Sequence, residues 1–185
     1  MKKAFVNVGV LILGLFFISC NRGNDGAENQ FLDSKPKVVI YDYQIWSSDL
    51  DRRDLQDSIT VYIDTFTYNN RMYYGYTDSL GSDSSYYDSF STQRDSFFYY
   101  HDYCKTLDTV VLHYKNDKIE LIKSDFDIEH SIDEECHIYW SKTYGLIGVY
   151  NYPWKALILF ENEEIEGFAN ETFYEYIVNQ IKEKQ

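Results

Sequence analysis

The residues able to do chemistry are few: four histidines, three cysteines and a scatter of carboxylates. His101 lies three residues before Cys104, and His137 directly follows Cys136, with Asp102 close by. A bridge between the two cysteines would draw both histidines together, the one arrangement in which a metal site could assemble. Their spacing matches no standard zinc pattern, so no metal ligand is assigned and satisfied surface histidines are the default reading. His113 falls in an alternating run beside Val111 and is expected to face solvent from a strand. Asp125, Asp127, Glu129, Asp133, Glu134 and Glu135 offer oxygens of the kind Ca²⁺ takes. They lack the glycine and twelve-residue order of an EF-hand loop, and a solvated connection accounts for them. The chain has no Gly-x-Ser-x-Gly elbow, no phosphate-cradling glycine loop, no dinucleotide fingerprint and no His-Glu-x-x-His. No catalytic residue and no cofactor is therefore assigned, and only a site assembled from distant residues stays open.

Aromatic residues are the compositional oddity, with 19 Tyr and 12 Phe against two Met and two Pro. Rings suit pleated, half-buried surfaces, and Tyr packs its ring while its hydroxyl meets water, so the composition points to a sheet-rich protein. Tyr73, Tyr74, Tyr76, Tyr86, Tyr87, Tyr99 and Tyr100, with Trp46, Trp140 and Trp154, could build a glycan-stacking surface. Cross-strand packing explains them without a ligand and is the favoured reading.

The N-terminus reads as an export signal. Lys2 and Lys3 precede an apolar run, residues 4–18, broken only by Asn7. As a helix that run is about 22 Å long, short of a ~30 Å hydrocarbon core, so a cleaved signal is expected over a permanent span. Phe17-Ile18-Ser19-Cys20 resembles the lipobox of bacterial lipoproteins, with Phe17 in place of the usual Leu. The resemblance implies cleavage before Cys20 and lipid on its sulfur. Residues 21–30 are polar and rich in Gly and Asn, as a flexible tether is. The expected organisation is a signal over 1–19, a tether over 20–35 and one domain over 36–185. Losing residues 1–19, which carry two lysines and no acids, takes the net charge from −13 to −15. Such a surface repels phosphate backbones and anionic headgroups, so no nucleic-acid partner is expected. With Cys20 lipidated, Cys104 and Cys136 remain as a candidate disulfide in an oxidising compartment, the alternative being two buried free thiols.

Period-2 runs recur along the domain. Residues 38–46 open it as a strand; Ile59, Val61 and Ile63 share one face of a strand over 58–68. Asn69-Asn70 turns that strand into another over 72–77. Residues 78–96, biased to Asp and Ser, read as loops around one or two short edge strands, and 47–57 as a polar stretch. Strand character resumes at 97–100, and runs over 109–114 and 118–123 suggest a hairpin through Asn116-Asp117. Three further strands follow over 136–142, 145–150 and 155–161. Residues 156–160 are apolar on both faces and should lie centrally or beneath a helix. Phe173, Tyr174, Ile177, Val178 and Ile181 then adopt helical spacing, predicting an amphipathic helix over about 170–183 with Asn170 as N-cap.

Tyr139-Trp140-Ser141-Lys142-Thr143-Tyr144-Gly145-Leu146-Ile147, with Leu107-Asp108-Thr109-Val110-Val111 upstream, is similar to small uncharacterised envelope lipoproteins of the Bacteroidota. The resemblance covers about residues 105–165. It implies an antiparallel β domain and brings no catalytic residues. It also implies O-glycosylation at Asp-Ser/Thr followed by an aliphatic residue, which Ser58, Ser79 and Thr109 fit. Ser79 is the preferred site, because it sits in a loop, whereas Thr109 falls in a strand.

The expected fold is a single, mainly antiparallel β-sandwich or partly open barrel of eight or nine strands with one C-terminal α-helix. The expected function is a membrane-anchored envelope lipoprotein, at the outer membrane, acting without catalysis as a binding or structural accessory protein of unknown ligand, with a protein or a glycan as the partner class. The alternatives are an inhibitor or immunity-type lipoprotein neutralising a basic partner, and a hydrolase. A concave apolar pocket would favour ligand binding, a flat acidic patch inhibition, and converging His and carboxylates an enzyme.

Overall fold

A computed structural model describes residues 37–45, 53–77, 86–94, 96–127 and 135–183. Ten strands follow in order: β1 (Lys37–Gln44), β2 (Asp54–Tyr68), β3 (Arg71–Thr77), β4 (Tyr86–Gln93) and β5 (Ser96–Tyr99), then β6 (Asp102–Tyr114), β7 (Asp117–Phe126), β8 (Cys136–Ser141), β9 (Gly145–Asn151) and β10 (Ala156–Asn162). Each pairs antiparallel with its sequence neighbour, and β1 pairs with β10 as well, so the sheet closes on itself. The protein is thus mainly β, with one antiparallel sheet and one C-terminal helix, α1 (Tyr174–Lys182). The ring is closed but is not a regular barrel, as strand lengths from four residues to fifteen would suggest.

Strand alternation builds two cores from one sheet. Val38, Ile40, Val61, Tyr76, Phe90 and Phe160 point into the ring, and buried residues from all ten strands join that cluster. The opposite face of β1 and β7–β10 carries Tyr43, Leu121, Tyr139 and Leu157, which pack beneath Phe168, Phe173 and Ile177 of the C-terminal segment. Leu157 and Leu159 face the helix while Phe160 faces the ring, the two-sided burial expected of residues 156–160. Ile59 and Ile63 pack on the ring core beside Val61, as their spacing implies.

The register leaves two-residue loops at Asn69-Asn70, Tyr100-His101 and Lys115-Asn116. Both Asn69 and Asn70 take positive φ, 50° and 60°, the left-handed pair that matches strand twist and that Asn tolerates well. Tyr100 and His101 adopt the same region at 45° and 80°, which costs on the order of 1–3 kcal/mol per residue.

Three expectations change. Residues 86–93 form a full strand rather than a short edge, because β4 is paired on both sides within the ring. Asp54–Asp57 belong to β2, since they pair with the end of β1 despite having no apolar stripe. Asn170 is not a helix N-cap. The chain leaves β10 through a 3-10 turn (Glu163–Ile165) and enters a π-helical segment (Phe168–Phe173) behind Gly167, whose φ of 88° suits glycine; α1 follows directly.

The helix seats on a gap in the sheet. Gly148 lies under the Phe173 ring, so that any Cβ there would overlap Cε1. Phe173 is fully buried between Tyr139, at 5.0 Å between ring centroids, and Tyr176. Gly148→Ala should therefore lift Phe173 and cost about 2–4 kcal/mol by overpacking, read as a lower urea midpoint. Truncating the ring as well (Gly148→Ala with Phe173→Ala) should cost less than the sum of the two single changes. Additive losses would place the clash elsewhere.

Candidate functional site

On the outside of the ring, a cleft of about 300 Å³ opens between β1 and the connection from β10 to the helix. Lys37, Val39 and Tyr41 alternate along β1 and so share its outward face. Glu161, directly opposite Val39 in the β1–β10 ladder, closes one side, and Glu163, Glu166, Gly167 and Asn170 complete the lining. The lining is mainly apolar, and three glutamates and one lysine are among its residues.

Glu161 organises this corner. Only 8% exposed, its carboxylate accepts from the Gly167 amide at 2.7 Å and the Asn170 amide at 3.0 Å, and from Asn170 Nδ2 at 3.4 Å. Those amides belong to the first turn of the helical segment, where a carboxylate is favoured by unpaired N–H groups and by the dipole. Asn170 is tied in turn by Tyr43, whose hydroxyl donates to its Oδ1 at 2.9 Å, and by Arg53, whose Nη1 donates to its carbonyl at 2.8 Å. The Arg53 guanidinium also lies 4.3 Å over the Tyr174 ring. Lys37 N donates to Glu163 Oε1 at 3.2 Å, and the Tyr114 hydroxyl donates to the Glu166 carbonyl. Sequence reasoning treated Glu161 as the end of a strand. The signal available was a carboxylate closing an apolar run just ahead of a glycine and a helix.

Burial raises the Glu161 pKa above its ordinary 4.5, and the hydrogen bonds from Asn170, Gly167 and Ala169 only partly offset it. Chemically, the cleft suits an alkyl or aryl stem on its floor with an ammonium or guanidinium held at its walls.

Among the described residues, the histidines and the acids of the 125–135 stretch are not in the cleft lining. His137 and Asp125 are paired across β8 and β7, with Nε2 3.7 Å from Oδ1, and His137 packs on the Tyr152 ring at 5.1 Å. His101 is exposed in its turn, and His113 and Val111 are exposed on β6 as expected. Among the described residues no three His, Cys, Asp or Glu groups could hold a metal ion. Asp125 ends β7 rather than lying in a connection, Asp127 and Glu135 follow nearby, and Glu129, Asp133 and Glu134 lie outside the described residues.

Cys104 and Cys136 are both buried in the ring core and are not joined by a disulfide. Register explains why they are not bridged. Cys136 pairs with Phe126 of β7, and Lys105, next to Cys104, pairs with Asp125 on the other side of that strand. The cysteines thus flank β7 two strand spacings apart, roughly 10 Å, beyond the ~7 Å that a disulfide spans. The histidines beside them are accordingly not drawn together.

The aromatic set divides by face. Tyr74, Tyr76, Tyr99 and Trp140 pack with the ring core, where Tyr76 OH accepts from Leu146 N at 3.0 Å. Tyr73 stacks on Phe66 outside, and Tyr100 and Trp154 are exposed in turns. Trp46 lies outside the described residues, as do the side chains of Tyr86 and Tyr87. Ser58 and Thr109 are both exposed, each with its amide donating to the preceding aspartate at 2.7 Å; Ser79 lies outside the described residues, as does Cys20. Thr109 is thus more accessible than its place in a strand implied.

With the site in view, comparison with protein-family models, with curated proteins and with solved structures finds no match for this chain.

Two outcomes follow from these geometries. Burial pushes the Cys104 thiol up to about 12, so at pH 8 it is neutral and shielded. Ellman's reagent should react with neither Cys104 nor Cys136 in the folded protein, and with both once denaturant unfolds it; fast native reaction would contradict the burial. For Glu161 the folded pKa is raised, so the folded state holds the proton more tightly than the unfolded chain. Its contribution is fully present below pH 4.5 and is lost as pH rises through the folded pKa. Glu161→Gln should flatten that part of the stability–pH curve. Glu161→Ala should lower stability at every pH by about 1–3 kcal/mol for each amide left without an acceptor.

Proposed function

We propose that this chain is an envelope lipoprotein, tethered through lipid on Cys20, whose domain binds a basic partner group without catalysis. The tether rests on the charged start, short apolar run and Ser19-Cys20 of the sequence. The binding reading is carried by one observation, the cleft with an apolar floor of Val39 and Tyr41 beneath the carboxylates of Glu161, Glu163 and Glu166. A concave apolar site favours ligand binding over a flat inhibitory patch, while its acidic walls fit the basic partner of the inhibitor or immunity reading, so a lysine or arginine side chain serves both. His137 and Asp125 sit on other strands, which favours binding over hydrolysis. Placement at the outer membrane, kinship with Bacteroidota lipoproteins and hexose on Ser58, Ser79 or Thr109 belong to the same proposal.

The chain, pulled down from its native envelope, should bring a partner that elutes with salt and whose capture falls about tenfold with Glu163→Gln and Glu166→Gln together. Capture indifferent to both substitutions would sink the cleft. A Cys20→Ala chain should leave the membrane on alkaline washing, and its retention would sink the anchor. Intact mass of protein from its own host tests the sugars: no added hexose ends that part.

A further inference from the structure

We propose that the tip of the β2–β3 hairpin, residues 66–73, rests on the surface of a phospholipid bilayer. This builds on the lipid-anchor reading and adds to it a second contact, made by the protein itself.

The hairpin extends past the described part of β1. Lys37, at the described start of β1, pairs with Tyr62, so six more residues of β2 run past it, roughly 20 Å at the rise of a strand. The tip is apolar on both faces: Phe66 is 53% exposed, Tyr68 63% and, on the other side, Met72 42%. Residues 65–74 contain no acid, and Arg71 stands among them with its guanidinium 3.5 Å over the Phe98 ring. Rings with one polar end, a thioether and a cation with an apolar stem are side chains that settle at headgroup level.

Where the chain enters decides the occupant. β1 is the strand beside β2, so residues 21–36 lead into the ring next to this hairpin. Sixteen residues separate Cys20 from Lys37, and a chain of that length reaches at most about 55 Å, more than the ~20 Å by which β2 runs past Lys37. A lipid on Cys20 and the hairpin tip therefore reach one plane. Charge agrees with this placement. In an up-and-down ring alternate turns lie at one end, so among the described residues this end holds Lys37, Arg71, Arg94, Lys115, Lys118 and Lys142 against Asp117. Glu163, Glu164 and Glu166 lie on the connection from β10, beside the cleft. The opposite end carries Asp42, Asp54, Asp57, Asp102, Asp125, Asp127 and Glu135 against Arg53, Lys105 and Lys155. Bases thus outnumber acids among these residues at the hairpin end and are outnumbered at the other, the polarity that anionic headgroups favour.

The test uses protein purified from its own host, carrying whatever Cys20 carries. It is reconstituted with vesicles of phosphatidylethanolamine and phosphatidylglycerol, three to one, with or without bromine on the acyl chains. The indole introduced by Tyr68→Trp should shift to the blue and lose about half its emission to bromine. The native tryptophans, read in the unsubstituted protein, should be little affected, and adding Arg71→Glu should weaken the quenching. Protein that pellets with the vesicles but shows no quenching overturns the contact while leaving the anchor standing. Protein that stays in the supernatant overturns the anchor and the contact with it. A blue shift before vesicles are added points to a second copy covering the tip and also overturns the proposal.

Discussion

Seven residue pairs, from Val38 with Asn162 to Gln44 with Ala156, join the first strand to the last. Without them the sheet would have two open edges, each a row of unpaired N–H and C=O groups. The same ladder sets both cores, because β10 carries Leu157 and Leu159 toward the helix and Phe160 into the ring. It also creates the cleft. Glu161 reaches the amides of Gly167 and Asn170 only because the register places it opposite Val39 on the outer face. A slip of one residue would turn that carboxylate into the ring and Phe160 out of it, so burial on both sides holds the register fixed.

One aromatic-rich composition therefore does two different tasks. Inside, Tyr76, Phe90, Phe97 and Trp140 stack in succession, at 6.2, 5.4 and 4.7 Å between centroids, and fill the ring with side chains. Outside, Tyr43 and Tyr139 form the seat of the helical segment, meeting the Tyr174 and Phe173 rings. Rings that stand alone on the surface, such as Phe66 with Tyr73, sit where the helix does not cover the sheet. Burial of an aromatic thus depends on the parity of its position and on which strands the C-terminal segment crosses.

Much of this was legible in the sequence. Ile59, Val61 and Ile63 announced their face by alternation, Asn69-Asn70 announced a tight turn, and residues 156–160 announced burial on both sides. What stayed hidden depends on partners distant in sequence. Asp54–Asp57 have no apolar stripe and are strand only because the end of β1 lies beside them. Tyr86–Gln93 is rich in Ser and Asp, and its pairing on both sides overrides that local preference for turns. The cysteines looked like a pair because counting them says nothing of the strand between them. Glu161 was invisible as an organising residue because its partners, six and nine positions ahead, become neighbours only when Gly167 turns the chain back.

Ring closure has a further consequence, for the order of events in time. Lys37 and Glu163, which meet beside the closing ladder, are 126 positions apart along the chain. The hairpins between them can form locally and early, but the ring cannot shut until its last strand is free to join the first. Fixing contacts so distant in sequence means closing a long loop before any reward arrives, a topology that folds slowly. A chain of this kind stays open until nearly all of it is present to fold.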